Sequence, residues 1–216
     1  MVRRVLIFGH SFVHRLESFT FKYRESGWFN LGLDGTDVQI EYFGLGGGTL
    51  RPVPKCVPKQ ECMTIIESYK PSTIFLQVGG NDLSYENNPD KLARDIISFV
   101  DYVITRYHVH HVIIGQLLPR YSGKPEMNYN KKVVDVNKHL AVSSADRNDI
   151  TYWRHRGLWK DTQRLLLQDK VHLNTESMHI YAKSDCWKPL SQLSKRCHHV
   201  NSISRSFQLY IYIFCI

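Results

Sequence analysis

Short apolar runs alternate with longer segments of helical period along most of the chain. The short runs are rich in β-branched and aromatic residues, which is typical of strands. These predicted strands are Val2–Phe8, Val38–Phe43, Thr73–Val78, His110–Leu118 and Ile150–Trp153. The longer segments place apolar residues three and four positions apart, as helices with one buried face do. These predicted helices are Phe12–Tyr23, Gln60–Tyr69, Pro89–Tyr107, Asn128–Ala145 and Thr175–Lys183.

The alternation of strands and helices predicts an α/β fold in which a parallel sheet is covered on both faces. Right-handed crossovers between the five predicted strands give the expected strand order 2-1-3-4-5. No internal repeat or linker divides the chain, so residues 1–183 are expected to form one domain. Residues 184–216 are polar and irregular over most of their length and are expected to form a tail.

The composition narrows the class of protein. Of the 216 residues, 43% are hydrophobic and 22% are charged, as in a globular chain with a real core. The net charge of +8 permits anionic partners without demanding nucleic acid, and a solvated basic surface is the simpler interpretation. The five cysteines form no Cys-x-x-Cys pair, which favours reduced thiols and a cytoplasmic location. No apolar run reaches the roughly 20 residues of a membrane span, and no feature indicates an oligomeric state.

The first predicted strand is followed by Gly9-His10-Ser11. A strand that turns directly into a helix presents Ser11 at the carboxyl edge of the sheet, beside the N-terminus of that helix. Ligands bind at this edge in open α/β sheets, and backbone N–H groups there can stabilise an anion. Ser11 is therefore a candidate nucleophile, although an N-cap is the simpler role for a serine at this position.

Two further polar segments follow the second and third strands. Gly46-Gly47-Gly48-Thr49 allows positive φ and a close approach of the backbone to a ligand, but a flexible turn has the same composition. Gly79-Gly80-Asn81-Asp82 supplies an amide side chain, where a turn or a helix cap would also use Asn and Asp. In the expected strand order, both segments lie at the same edge as Ser11.

The fourth candidate segment is Asp169-Lys170-Val171-His172, in the loop after the last strand. A serine hydroxyl attacks only when a base takes its proton, and an imidazole with a pKa of roughly 6.5 can do so near neutral pH. Asp169 is close enough in sequence to fix the tautomer of His172 and to stabilise its imidazolium. A surface turn with a local ion pair explains the same two residues equally well.

Convergence of these segments in one crevice favours catalysis over four unrelated turns. A tetrahedral intermediate of acyl transfer needs fixed donors for its oxyanion. The backbone N–H groups of Ser11 and Gly47 and the side-chain amide of Asn81 can supply three such donors. The residue types therefore match the needs of a serine hydrolase.

The four segments, taken in order, resemble the sequence blocks of the SGNH hydrolases, also called GDSL-type esterases and lipases. The resemblance covers about residues 3–183. It implies a flavodoxin-like, three-layer α/β/α sandwich that hydrolyses acyl esters without a metal or another cofactor. The site residues that it implies are the nucleophile Ser11, the base His172, its partner Asp169 and, for the oxyanion hole, Ser11, Gly47 and Asn81.

The leading hypothesis is a serine esterase that acts on a small acyl or acetyl ester. The alternative is a non-catalytic SGNH-like module, derived from a retroelement, that contacts protein or nucleic acid. It rests on the positive charge, on the irregular tail and on His10, where the family usually has Asp. The segment Gln116–Arg120 and the residue Asn137 also resemble SGNH-type domains of some animal retroelements. His108, His110 and His111 lack a third partner at the spacing of a metal site, and Cys197-His198-His199 lies in a tail without a helix or strand period.

Overall fold

The computed structural model describes residues 2–26, 31, 33, 38–50, 59–85, 88–121, 129–159 and 162–183. Apart from a single terminal residue, every strand and helix predicted from the sequence falls within this part of the chain. The predicted tail at residues 184–216 lies outside the described residues, so its irregular character and the domain boundary at residue 183 stay predictions.

A single five-stranded sheet forms the centre of the described part. Its strands are β1 (Arg3–His10), β2 (Val38–Leu45), β3 (Thr73–Gln77), β4 (His111–Gly115) and β5 (Ile150–Trp153). Their order is β2-β1-β3-β4-β5, and every neighbouring pair is parallel. The predicted strand order and the parallel sheet are therefore confirmed.

Helices follow the strands as the sequence pattern predicts. They are α1 (Ser11–Lys22), α2 (Lys59–Tyr69), α3 (Pro89–Tyr107), α4 (Tyr129–Ser144), α5 (Thr162–Leu165) and α6 (Thr175–Lys183). The five predicted helices are present, and their ends lie within one residue of the predicted ends. None of the helices in the described part combines the length and apolar character that a membrane span requires.

Apart from strand ends that differ from the prediction by two residues or fewer, two local predictions were wrong, and each error has its own cause. β4 ends at Gly115 rather than Leu118, because the backbone N–H and C=O of Leu117 bond to the side-chain amide of Asn137 instead of a neighbouring strand. The loop predicted at residues 157–168 contains the one-turn helix α5. Four residues are too few for a hydrophobic period, so the pattern carried no signal for it.

Alternate side chains of the strands enter two separate cores, one on each face of the sheet. One core packs the sheet against α2, α3 and α4; its buried residues include Leu6, Leu76, Ile114, Ile66, Ile96 and Val136. The other packs it against α1 and α6; its buried residues include Ile7, Phe75, Ile113, Leu16, Met178 and Tyr181. The architecture is the expected three-layer α/β/α sandwich.

Close packing of β1 against β3 explains the glycine before the candidate nucleophile. A Cβ at Gly9 would lie 2.3 Å from the carbonyl oxygen of Gln77, which no side chain tolerates. Because β1 lies between β2 and β3, the chain crosses to opposite faces of the sheet on leaving β1 and β2. This reversal opens a crevice at the carboxyl ends of β1 and β3, the edge at which α/β sheets bind ligands.

Candidate active site

The carboxyl end of β1 delivers Ser11 to the first position of α1. Ser11 Oγ lies 2.9 Å from His172 Nε2, a contact between residues 161 positions apart in the chain. A local helix cap uses backbone groups within the first turn of its own helix. The hydroxyl of Ser11 is therefore engaged in a tertiary contact of the kind that a nucleophile makes with its base.

Asp169 holds the opposite side of the same imidazole. His172 Nδ1 lies 2.7 Å from Asp169 Oδ2, while Asp169 Oδ1 accepts the backbone N–H groups of Val171 and His172, each at 2.9 Å. Burial alone would raise the pKa of Asp169, but these hydrogen bonds from His172 and Val171 outweigh it and lower the pKa to about 2. The carboxylate is thus ionised at neutral pH and fixes the ring orientation.

The turn that carries these two residues is tied to its surroundings. Lys170, at its second position, has a φ of +59°, a conformation that costs a non-glycine residue about 1 kcal/mol or more. Leu166 and Leu173 bracket the turn with an antiparallel bridge, and the carbonyl of Lys170 accepts the backbone N–H of Tyr121 at 2.9 Å. Backbone strain held in place by the surrounding structure is a feature of functional sites.

The end of β3 positions the glycine-rich segment after β2. Asn81 Nδ2 donates to the carbonyl oxygen of Gly48 at 2.9 Å, and Asp82 Oδ1 accepts the backbone N–H of Leu50 at 2.8 Å. Asn81 precedes a short 3₁₀ turn, Asp82–Ser84, yet its side chain makes no capping bond to that turn. The predicted alternative of a simple cap at Asn81 therefore does not describe its contacts.

The glycine segment adopts the backbone conformation expected from its composition. Gly47 has a φ of +72°, which glycine adopts without strain. The backbone N–H of Gly48 donates to the carbonyl oxygen of Leu45 at 3.1 Å and is therefore already engaged. The glycine segment, which Asn81 contacts at Gly48, thus lies at the carboxyl edge of the sheet, where β1 also delivers Ser11.

Arg120 is a residue of this region to which the sequence analysis gave no role. Its Nη2 donates to Asn81 Oδ1 at 2.9 Å and its Nη1 donates to Ser84 Oγ at 3.3 Å. The guanidinium also lies over the ring of Tyr129, 4.8 Å from the centroid. The sequence feature that could have identified Arg120 is its position after β4, at the same sheet edge as the other candidate residues.

His10 stands where the SGNH hydrolases, which the sequence resembles, usually have aspartate, and its side chain is buried. Only 3% of the residue is exposed, and neither ring nitrogen has a hydrogen-bond partner among the described residues. Burial, followed by the positive charges of Arg120 and His172, lowers the pKa of His10 to about 3. The ring is therefore neutral at physiological pH and, because its pKa is so low, is too weak a base to take the proton of Ser11.

A second buried histidine belongs to a polar network beneath the same edge. His155 Nε2 lies 3.0 Å from Gln77 Oε1, which also accepts the hydroxyl of Tyr181 at 3.1 Å. Gln77 Nε2 donates to the carbonyl oxygen of Gln116 at 3.2 Å. Burial lowers the pKa of His155 to about 3. The polar Gln77 within an otherwise apolar strand was the sequence signal for this network.

A cavity of about 870 Å³ lies beside the candidate site rather than at it. Its lining includes Gly48 and His10 but none of Ser11, Asp169 and His172. Phe8, Met63 and Phe99 supply apolar surface, and Glu67, Asp95 and Ser98 supply polar groups. Among the residues that the structure describes, no three His, Cys, Asp or Glu side chains are grouped so that they could hold a metal ion.

Comparison with solved structures finds the same fold in esterases and lipases. No family model and no curated protein matches the sequence. An acetyl esterase variant solved with an acetate ion is 14% identical, with 90% of this chain and 99% of that chain covered and a TM-score of 0.61. A carbohydrate esterase family 3 protein from Talaromyces cellulolyticus is also 14% identical, with 90% of this chain and 99% of that chain covered and a TM-score of 0.64. For a GDSL-like lipase from Bacteroides thetaiotaomicron the identity is 14%, the coverage is 90% of this chain and 89% of that chain, and the TM-score is 0.58.

These likenesses show a shared fold at low identity. The chain has the α/β sandwich fold of the SGNH hydrolases, and the predicted resemblance is confirmed at the level of the fold. The named structures with this fold are hydrolases, and none of them supports the alternative of a non-catalytic interaction module.

Proposed function

We propose that this chain hydrolyses esters, with Ser11 as nucleophile, His172 as general base and Asp169 as its partner. The observation that carries the proposal is a hydrogen-bonded line from Ser11 Oγ through the His172 ring to Asp169, with heavy-atom distances of 2.9 and 2.7 Å. The first residue of α1 and the turn at residues 169–172 have no local reason to meet. The line orients the imidazole so that Nε2 faces the hydroxyl, as a serine hydrolase requires.

In the proposed acylation step, His172 Nε2 takes the proton of Ser11 Oγ while that oxygen bonds to the ester carbonyl carbon. The resulting imidazolium gives the proton to the departing alcohol oxygen as the C–O bond breaks. Water then repeats the sequence on the acyl-enzyme, which releases the acid and regenerates Ser11. Asp169 stays ionised throughout, since its pKa is lowered to about 2, and its negative charge stabilises the imidazolium.

The proposed oxyanion hole consists of the N–H groups of Ser11 and Gly47 and the side-chain amide of Asn81. The N–H of Gly48 is bonded to the carbonyl oxygen of Leu45, so Gly48 is not the glycine donor in this proposal. One hydrogen of Asn81 Nδ2 is bonded to the Gly48 carbonyl, and the second is the one assigned to the oxyanion. Donors held by the fold cost no reorganisation when the charge develops.

The proposed substrate is an ester of a small acyl group, with acetyl first. Support comes from the structures with this fold, which include an acetyl esterase solved with an acetate ion. The absence of any cofactor from the proposed steps follows from their chemistry, because proton transfer and backbone donors suffice for acyl transfer.

The test compares Ser11→Ala with Ser18→Ala, a control on the exposed side of the same helix, where the hydroxyl bonds only locally to His14. The wild type and Ser18→Ala are expected to hydrolyse nitrophenyl acetate and to react covalently with a fluorophosphonate. Ser11→Ala is expected to lose both activities, since removal of a serine nucleophile can cost on the order of 10⁶ in kcat. Undiminished labelling of Ser11→Ala would show that a different residue is attacked.

A further inference from the structure

Arg120 contacts the proposed oxyanion donor from the side opposite the glycine segment. Its Nη2 donates to Asn81 Oδ1 at 2.9 Å, while Asn81 Nδ2 donates to the Gly48 carbonyl at 2.9 Å. We propose that Arg120 is a positioning residue, which locks the amide of Asn81 with its NH₂ group toward the oxyanion. The inference deepens the proposed esterase function and rests on it, because the oxyanion exists only in that reaction.

The two bonds leave one orientation of the amide. A guanidinium carries donors only, so the Asn81 atom that faces Arg120 must be the oxygen. A carbonyl carries no donor, so the atom that faces Gly48 must be the nitrogen. Rotation of the amide by 180° would set NH₂ against the guanidinium and oxygen against the carbonyl. Both hydrogen bonds therefore require the same orientation of the amide, and the bond from Arg120 is the charged one of the two.

The first turn of α4 holds Arg120 in this position. The backbone N–H of Arg120 donates to Asn130 Oδ1 at 3.0 Å, and Asn130 Nδ2 donates to the Arg120 carbonyl at 2.8 Å. The guanidinium lies over the ring of Tyr129, whose hydroxyl donates to the carbonyl oxygen of Gly80 at 3.0 Å. One helix end thus fixes both Arg120 and the residue before Asn81, which distinguishes Arg120 from a loosely held surface arginine.

The charge of Arg120 gives it an effect beyond geometry. A hydrogen bond from a charged donor is about twice as strong as a neutral one and polarises the group that accepts it. Polarisation of Oδ1 makes the Nδ2 hydrogens of Asn81 better donors, which stabilises the negative charge of the intermediate more than the neutral ground state. Loss of Arg120 is therefore expected to lower kcat while leaving KM nearly unchanged.

A purely structural role for Arg120 makes a different prediction. Through Ser84 and Tyr129, Arg120 also links the 3₁₀ turn after β3 to α4. If that link were its only role, Arg120→Ala would lower the melting temperature and leave turnover per folded molecule at the wild-type value. A double-mutant cycle with Asn81 separates the two roles, since residues that act as a unit have non-additive effects.

The experiment measures kcat, KM and thermal melting of the full chain for Arg120→Ala, Arg120→Lys, Asn81→Ala and the Arg120→Ala/Asn81→Ala double variant. Arg154→Ala, an exposed arginine after β5, is the control. Arg120→Ala is expected to lower kcat roughly 10- to 100-fold. Arg120→Lys should recover part of this loss, because lysine keeps the charge but lacks the planar fork. The double variant should be no slower than Asn81→Ala alone.

Multiplicative effects in the double variant, or a wild-type kcat in folded Arg120→Ala, would overturn the inference while the proposed function stands. If Arg120→Ala fails to fold, Arg120→Gln takes its place in the cycle. If the wild type neither hydrolyses esters nor labels at Ser11, the proposed function fails instead.

The positioning itself is then read by NMR from the Asn81 side-chain NH₂ resonances, assigned by their loss in Asn81→Ala. These resonances should shift and exchange faster in Arg120→Ala, and unchanged resonances overturn the inference independently of activity.

Discussion

The contacts of the Asn81 side chain distinguish an active site from an ordinary turn. A turn needs a side chain that bonds to the local backbone, and Asn81 makes no such bond to the turn that follows it. Its amide instead spans from Arg120 to Gly48, between two loops that are far apart in sequence. An amide held at both ends keeps its orientation, which is the property that an oxyanion donor requires.

Substitution of Asn81 should therefore affect turnover more than stability. Asn81→Ala is expected to lower kcat by roughly 10²–10³-fold, because one oxyanion donor is lost. KM should change little, since the ground-state carbonyl needs that donor less than the tetrahedral intermediate does. Asn81→Asp should be as slow or slower, because it places a negative charge where negative charge develops. Kinetics on one activated ester, together with thermal melts, provide the measurement.

The matched control for Asn81 is Asn88→Ala, since Asn88 caps α3 through a side-chain bond to the backbone N–H of Lys91. Loss of that cap should cost about 1 kcal/mol of stability and leave kcat unchanged. If Asn81→Ala behaved like this control, melting early but turning over at the wild-type rate, Asn81 would have no place in the mechanism.

At the level of elements, two buried histidines tie the acid stability of the fold to the edge that carries the site. His155 joins β3 to α6 through the side chain of Gln77 and the hydroxyl of Tyr181. His10 ends β1 with neither ring nitrogen bonded among the described residues. Both residues are at most 3% exposed, and burial is the largest cause that lowers the pKa of each to about 3.

This burial predicts that the fold loses stability as the pH falls from about 6.5 toward 3. In the unfolded chain a histidine has a pKa of roughly 6.5, so over this window the unfolded state binds more protons than the folded state. Each buried histidine then contributes a slope of up to about 1.4 kcal/mol per pH unit, with stability rising as the pH rises. Asp169 acts in the same direction but only below about pH 4, since its pKa falls from 3.8 to about 2.

His10→Phe is the variant that tests this prediction. The substitution removes a buried polar group with no described partner, so the free energy of unfolding should rise by about 1–3 kcal/mol at neutral pH. It also removes the contribution of His10 to the pH dependence of stability, so the increase should be larger at pH 5. The exposed His110, changed to Gln, serves as the control for a histidine substitution that disturbs no buried side chain. Urea unfolding between pH 4 and 7 gives the measurement; a His10→Phe chain that is less stable than wild type would show that the imidazole has a partner.

At the scale of the whole molecule, the sequence was most informative about what sits at strand ends. Periodicity placed the strands, and the strand order then predicted that Ser11 and Asn81 would share one edge. The hydrophobic pattern did not predict polar contacts between side chains that are distant in the sequence. The bond from Arg120 to Asn81 and the burial of His10 and Gln77 are of this kind, because hydrophobic periodicity reports which face is buried and not which polar partner it meets.

The net charge of +8 is one of the arguments for the interaction module, and two of the described arginines have acidic partners within the fold. Arg147 bonds to both Asp101 and Asp149, and Arg15 lies 3.8 Å from Asp169. Bonding to both carboxylates is also what raises the pKa of Arg147. A protein that binds nucleic acid through its surface presents its basic groups to phosphate rather than to its own carboxylates. We therefore expect the charge to be that of a solvated surface.

We accordingly expect only weak, non-specific binding of nucleic acid by the full chain. The dissociation constant should be on the order of 10⁻⁵ M or weaker at physiological salt, and the affinity should fall steeply between 50 and 200 mM salt as counterions compete for the phosphates. Fluorescence anisotropy with a labelled DNA duplex and a single-stranded RNA of equal length gives the measurement. Ser11→Ala should bind as the wild type does, because the charge does not involve the nucleophile. Sub-micromolar binding at physiological salt, in a chain that hydrolyses no ester, would instead favour the interaction module.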